Sequence, residues 1–275
     1  MIIPVRHRDT AGGDQSMRLA IKIGTSSLTY STGQLNIRHA EVICKVLSDL
    51  KNAGHEIVLI SSGAIAMGIG KLGLQERPRD IPTKQAAAAV GQSELMDTYD
   101  RLFGAYHHNV AQILLTGDDF CHGDRLENFR NTLHRLLELR VLPVINENDT
   151  IATDEIRVGD NDTLSALVAV SADADLLILL SDIDGLYTDD PHRTSDARLI
   201  PEVRALTDEI LALGGREGSA LGTGGMKTKL HAAEICMKNG VDMVILNGSD
   251  PAKLYDLIDG KSVGTRFYAA KEARE

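Results

Sequence analysis

The chain has 275 residues, and its 39 acidic against 29 basic side chains give a formal net charge of −10 at pH 7. This length fits one large domain or two closely packed lobes, and a hydrophobic fraction of 43% excludes a disordered or collagen-like chain. The acidic balance, with no run of Lys or Arg, argues against nucleic-acid binding. No apolar stretch approaches the roughly 18 residues of a membrane-spanning helix, and the N-terminal segment lacks the apolar core of a secretory signal. We therefore expect a cytoplasmic protein with no nucleic-acid or membrane partner, in which residues 1–17 form a flexible extension.

In chain order, short β-branched segments alternate with helical patterns. The first part predicts strands at 18–23, 57–60, 111–115 and 141–145, with helices at 38–53, 83–105 and 125–139 and another opening within SSGAIAMG (61–68). The second part predicts strands at 176–180, 243–246 and 265–268, with helices at 162–171, 202–213, 226–239 and 253–258. This alternation predicts an α/β fold, an αβα sandwich around a mainly parallel sheet. Turn residues near 182–191 favour a division into lobes of about 18–180 and 181–275.

Glycine-rich segments supply the first candidates for chemistry. GIGKLG (68–73) matches G-x-G-x-x-G, but it does not follow a strand directly, so we interpret it as a helix end rather than a dinucleotide site. GTGGMKTK (222–229) suits phosphate better, because bare backbone precedes the positive end of a helix and Lys227 and Lys229 follow at once. In KIGTSSL, Lys22 ends the first strand, where ligands of such folds bind.

Two further segments carry polar groups beside buried strands. In SSGAIAMG, Ser62 and the N–H groups of Gly63 and Ala64 can bind a carboxylate at a helix N-terminus. The segment 143–169 carries several carboxylates among side-chain amides, a combination that suits recognition of an α-ammonium, and Asp162 at a helix start can hold two lysines in place. A calcium loop is a rival there, but the spacing of an EF-hand is absent. Histidines and cysteines are scattered, so no residue is assigned as a metal ligand.

Eight segments together resemble the glutamate 5-kinase branch of the amino acid kinase family over about 18–268: KIGTSSL, SSGAIAMG, AAVGQSELM, PVINEND, EIRVGDND, LLSDIDGLYTDDP, GTGGMKTK and SVGTRF. The resemblance implies ATP-dependent phosphorylation of the side-chain carboxylate of L-glutamate to L-glutamyl 5-phosphate, the first step of proline biosynthesis. It implies Mg²⁺ carried mainly by the phosphates. It also implies a homo-oligomer, a dimer or tetramer, and glutamyl phosphate reductase as a possible partner.

The resemblance assigns roles residue by residue. It implies that Lys22 and Lys229 stabilise the transferred phosphoryl group and that Asp162 orients them. Glutamate contacts fall on Ser62, Gly63, Asp149 and Asn161. The ATP-binding part comprises Lys22, Ser181, Asp182, Thr223, Gly224, Gly225, Met226, Lys227, Thr228 and Lys229.

Some features depart from the family pattern. Arg157 stands where lysine is usual, so no role is assigned to it, and Ser181 replaces a common threonine. Many members carry a C-terminal PUA domain, and we expect this chain to be the form without one. Two alternatives remain open: a kinase of another small acid or phosphate, such as acetylglutamate or UMP, and a non-catalytic sensor of amino acid and nucleotide.

Overall fold

A computed structural model describes residues 16–30, 32–152, 161–191, 194, 196–215 and 225–270. Its strands are β1 (Arg18–Ile23), β2 (Glu56–Ile60), β3 (Val110–Leu115), β4 (Leu142–Glu147), β5 (Leu176–Ser181), β6 (Glu202–Val203), β7 (Asp242–Asn247) and β8 (Thr265–Phe267). Its helices are α1 (Thr25–Leu28), α2 (Ile37–Asn52), α3 (Ala64–Leu72), α4 (Ile81–Gly104), α5 (Gly117–Cys121), α6 (Gly123–Glu138), α7 (Asn161–Ser171), α8 (Asp208–Leu213), α9 (Met226–Lys238) and α10 (Lys253–Ile258).

The strands form one sheet in the order β3-β4-β2-β1-β5-β7-β8-β6. Every pair is parallel except β7 with β8. Chain order moves from β1 outward through β2, then returns to place β5 on the other side of β1. This change of direction makes the carboxyl ends of β1, β2 and β5 the expected ligand crevice.

Helices cover both faces of the sheet, as the apolar strands require. Side chains alternate along β1: Ala20 packs in the layer of α6, α7 and α9, whereas Leu19 and Ile21 pack against α2, α4 and α10. The predicted αβα sandwich is therefore confirmed, and Lys22, two residues after Ala20, faces the α7–α9 layer.

Predicted element boundaries agree with the structure to within two residues, apart from one helix. The helix predicted at 202–213 is wrong at its start, because Glu202–Val203 pairs with β8 as strand β6. Helix α8 begins only after Thr207, whose side chain accepts a hydrogen bond from the Ile210 N–H. The short helices α1 and α5 had no predicted counterpart.

Helices α3 and α4 cross at backbone contact. A Cβ atom added to Gly68 would lie 1.8 Å from the Ala87 carbonyl oxygen, and one added to Gly91 would lie 1.7 Å from that of Ala64. The GIGKLG segment is thus a helix-packing surface that ends at Gly73, whose φ of 66° closes α3. Within the described ranges, no helix is both long and apolar enough to cross a membrane.

Candidate active site

Three charged side chains meet above the carboxyl end of β1. The Nζ atom of Lys22 lies 2.8 Å from Oδ1 of Asp162, and that of Lys229 lies 3.0 Å from Oδ2. The Asp162 side chain is 1% exposed and that of Lys229 is 6% exposed. The structure therefore brings together the three residues to which the family resemblance assigns phosphoryl transfer.

Local structure explains this meeting. Lys22 follows the inward alternation of β1 toward α7 and α9. Asp162 lies in the first turn of α7, where the helix dipole favours a carboxylate. Lys229 lies in the first turn of α9, directly across from α7.

The electrostatics keep Asp162 ionised. Burial by itself raises the pKa of a carboxylate, but the charges of Lys22 and Lys229 outweigh it and lower the pKa of Asp162 to about 2. Two ammonium groups and one carboxylate leave an excess positive charge, which suits an anion such as a phosphate.

The α9 entry separates its two lysines. Lys227 is exposed whereas Lys229 is buried, because residues two apart project from different sides of a helix. Thr228 Oγ1 lies 2.9 Å from Asp162 Oδ2 and 2.8 Å from the Gly225 carbonyl oxygen, so it braces the carboxylate. Met226 packs partly on the core.

A polar cluster lies at the ends of β2 and β4. Asn161 Nδ2 donates to Ser62 Oγ at 2.7 Å and to the Ser61 carbonyl oxygen at 2.9 Å. Gly63, with φ of 94°, precedes α3 and turns the first N–H groups of that helix to this end of the sheet. The predicted Ser62, Gly63 and Asn161 are therefore neighbours.

Asp149 is half-buried in the turn 149–151 that follows β4. This turn belongs to the same sheet edge, since β4 pairs with β2. Its joint action with Asn161 on an ammonium stays a prediction. Thr223, Gly224 and Arg157 lie outside the described residues.

The remaining predicted ATP residues end β5. Ser181 Oγ donates to Asp182 Oδ1 at 3.1 Å, and Ser181 pairs in register with Asn247 of β7. Asn247 also lines a cavity of about 310 Å³ with Asp184, Tyr187 and Lys253. A pocket large enough for part of a small ligand thus adjoins Ser181.

Sequence reasoning assigned no role to the two residues that support the polar cluster from below. Asn146 and Gln92 are buried and hydrogen-bond to each other, with 2.9 Å between Asn146 Nδ2 and Gln92 Oε1. A usable signal was available, because Gln92 occupies a core position in the helical pattern of α4 and a polar residue there needs a partner.

Comparison with known proteins gives a family for this site. Residues 17–247 match the model of the amino acid kinase family. The "Glutamate 5-kinase" of Clostridium tetani is 51% identical over 253 residues, which are 92% of this chain and 95% of that protein. The "Glutamate 5-kinase" of Carboxydothermus hydrogenoformans is 52% identical over 256 residues, 93% of this chain and 68% of that protein.

Solved structures agree on the fold. Carbamate kinase from Giardia lamblia aligns with a TM-score of 0.64 at 19% identity, over 92% of this chain and 98% of that one. UMP kinase from Ureaplasma parvum aligns with a TM-score of 0.63 at 13% identity, over 93% and 100%. Because the family model matches most of the chain and the relatives named glutamate 5-kinase are about 50% identical to it, this chain belongs to the glutamate 5-kinase branch of the amino acid kinase family.

Proposed function

We propose that this protein transfers the γ-phosphoryl group of ATP to the side-chain carboxylate of L-glutamate, giving L-glutamyl 5-phosphate and ADP. The observation that carries the proposal is the Lys22–Asp162–Lys229 group, with distances of 2.8 and 3.0 Å, beside the Ser62–Asn161 cluster. Two relatives that are 51% and 52% identical to this chain are named glutamate 5-kinase, which is the activity proposed here.

The reaction needs little covalent help from the protein. A glutamate side chain is ionised at neutral pH because its ordinary pKa is about 4.3, so no general base is required. One carboxylate oxygen attacks the γ-phosphorus, and the bond from that phosphorus to the bridging oxygen of ADP breaks. The obstacle is repulsion between a carboxylate and a polyphosphate, which positioning and positive charge overcome.

Lys22 and Lys229 supply that charge from opposite sides of one carboxylate. Asp162 fixes both ammonium groups before substrate arrives, so their reorganisation does not add to the barrier. Thr228 and Gly225 position the start of α9, and Lys227 with Thr223 and Gly224 completes the proposed phosphate contacts. The cavity lined by Asn247, the register partner of Ser181, is the proposed place for the nucleoside part of ATP.

Magnesium fits this arrangement as an ion carried by ATP. In the part of the chain described, no group of three His, Cys, Asp or Glu side chains forms a metal site, and both Asp162 oxygens face ammonium groups. Mg²⁺ commonly binds through substrate phosphates and water, where it would neutralise charge on the phosphates.

On the acceptor side, Ser62 and the N-terminal backbone of α3 after Gly63 would bind a carboxylate of glutamate. Asp149 and Asn161 would bind its α-ammonium. This assignment predicts a preference for a free amino group over an acetylated one. Four expectations remain predictions. They are the lobe division at about 181, a dimer or tetramer in solution, a cytoplasmic location, and delivery of the product to glutamyl phosphate reductase.

The test is ADP release with Mg-ATP and L-glutamate, N-acetylglutamate, aspartate or UMP, with hydroxylamine present to trap an acyl phosphate. Hydroxamate with glutamate alone is the expected result. Turnover only with another acceptor would overturn the substrate assignment. Binding of ATP by folded protein without turnover of any acceptor would favour a sensor.

A further inference from the structure

Helix α4 carries two polar side chains on its buried face. Gln92 is 7% exposed and Tyr99 is 1% exposed, among apolar neighbours such as Leu95 and Phe103. Seven residues are about two helical turns, so Gln92 and Tyr99 project in nearly the same direction. Buried polar groups are costly unless they form hydrogen bonds, and both do so: Tyr99 with Ser61 of the polar cluster, and Gln92 with Asn146 beneath it.

Each contact supports a different strand end. The Tyr99 hydroxyl and Ser61 Oγ lie 2.8 Å apart after β2. Gln92 Oε1 accepts from Asn146 Nδ2 at 2.9 Å near the end of β4. Side chains of α4, rather than solvent, therefore form the hydrogen bonds that support the polar cluster.

Gln92 and the Glu147 N–H together fix which way the Asn146 amide faces. With Nδ2 bonded to Gln92, Asn146 Oδ1 accepts from the Glu147 N–H at 2.9 Å and from Asn161 Nδ2 at 3.2 Å. The opposite orientation of Asn146 would set its Oδ1 against Gln92 Oε1, two acceptors, and would present its NH₂ group to two other donors, the Glu147 N–H and Asn161 Nδ2.

Asn146 contributes one of the acceptors that orient the Asn161 amide. Its Nδ2 faces three acceptors, namely Asn146 Oδ1, the Ser61 carbonyl oxygen and Ser62 Oγ. Oδ1 of Asn161 is consequently turned away from these acceptors. An oxygen in that position is suited to accept a hydrogen bond from an ammonium group.

The two ends of the Gln92 side-chain amide differ in their contacts. Its Nε2 is buried and has no hydrogen-bond partner within the described residues. An unsatisfied buried donor destabilises a folded protein, and a methionine of similar size would avoid that cost. What glutamine provides here and methionine would not is the acceptor Oε1, which binds Asn146.

We propose that Gln92 is a positioning residue for the amino-acid substrate: through Asn146 it holds the Asn161 amide with Oδ1 available to the α-ammonium. The inference rests on the proposed function and extends it to a residue that does not touch the substrate in this assignment.

The experiment compares Gln92→Met with Thr98→Val. Thr98 is also buried on α4, but among the described residues its hydroxyl donates to the Glu94 carbonyl of its own helix. Gln92→Met is expected to raise KM for glutamate about tenfold, the effect of one weakened charged hydrogen bond. KM for ATP, kcat and Tm should stay near the values of Thr98→Val.

A double-mutant cycle tests action through Asn161. If Gln92 works by orienting that amide, Gln92→Met should raise the glutamate KM of an Asn161→Ala background by less than twofold. Additive effects would indicate general disruption and overturn the proposal. Gln92→Glu keeps the shape of the side chain and an acceptor for Asn146, so its KM for glutamate should be close to that of wild type. This variant also keeps the proposal testable if Gln92→Met does not fold.

The two proposals fail differently. If the wild-type protein forms no hydroxamate from glutamate, the proposed function fails and this inference falls with it. If wild type turns over glutamate but Gln92→Met matches Thr98→Val in glutamate KM, the proposed function stands and the role of Gln92 is wrong.

Discussion

Replacing Asp162 with asparagine removes one negative charge while keeping the shape of the side chain. In the native protein both oxygens of Asp162 face an ammonium group, at 2.8 and 3.0 Å. In the variant, Lys22 and Lys229 lose their shared counter-charge, and one of them faces an NH₂ group. We expect their positions and their mutual repulsion to change before any substrate binds.

The stability effect follows from the site. The pKa of Asp162 falls from 3.8 to about 2 on folding, which corresponds to about 2 kcal/mol of stabilisation at neutral pH. Breaking a buried ion pair costs about 3–5 kcal/mol. We therefore expect Asp162→Asn to lower the free energy of unfolding by about 2–5 kcal/mol. For a protein of this size we expect Tm to fall by roughly 5–15 °C.

The sign of the pH dependence is fixed by the lowered pKa. Between about pH 4 and 2 the unfolded chain binds the proton more readily, so wild type loses the Asp162 contribution as pH falls through this window. Above pH 4 the contribution is complete. Asp162→Asn should lack this part of the acid profile, measured as Tm between pH 2 and 7.

Catalysis should fall more than substrate binding. We expect kcat for hydroxamate formation to drop by about 10²-fold or more, since the lysines lose the fixed arrangement that lowers the barrier. Asp173→Asn is the matched control: Asp173 is 9% exposed and paired with Arg130, and it lies just beyond the far end of α7, about 15 Å away. It should lose stability and retain kcat. An Asp162→Asn protein with kcat within threefold of wild type would refute the reasoning.

Three further variants test separate parts of the molecule. Lys229→Ala should lower kcat about 10²–10³-fold with little change in the KM for glutamate. Lys227 is exposed, so Lys227→Ala should mainly raise the KM for ATP. Equal effects of the two variants in steady-state assays would contradict the separation of the two lysines on α9. Asp149→Ala should raise the glutamate KM at least tenfold with kcat nearly kept, and an unaltered KM would remove Asp149 from ammonium binding. Gly91→Ala should lower Tm by several degrees, because its Cβ would lie 1.7 Å from the Ala64 carbonyl oxygen, while Gly104→Ala, with no atom nearby, should not; equal melting curves would contradict backbone contact between α3 and α4.

The sequence by itself determined most of the elements and the class of the fold. Buried runs such as Ile57–Ile60, alternating with amphipathic helical patterns, leave few packings other than a parallel sheet between helix layers. Lys22, Asp162 and Lys229 could be singled out too, because each falls at a strand end or helix start, where charged groups meet ligands.

Only the tertiary structure decided what local patterns do not encode. Strand β6 exists because Glu202–Val203 reaches β8, more than 60 residues later in the chain, and no local propensity reports such pairing. The opposite exposures of Lys227 and Lys229 depend on where α9 docks against α7. The support of Asn161 by Gln92 joins residues far apart in sequence, since hydrogen-bond partners are set by the packing of α4 beneath the sheet edge.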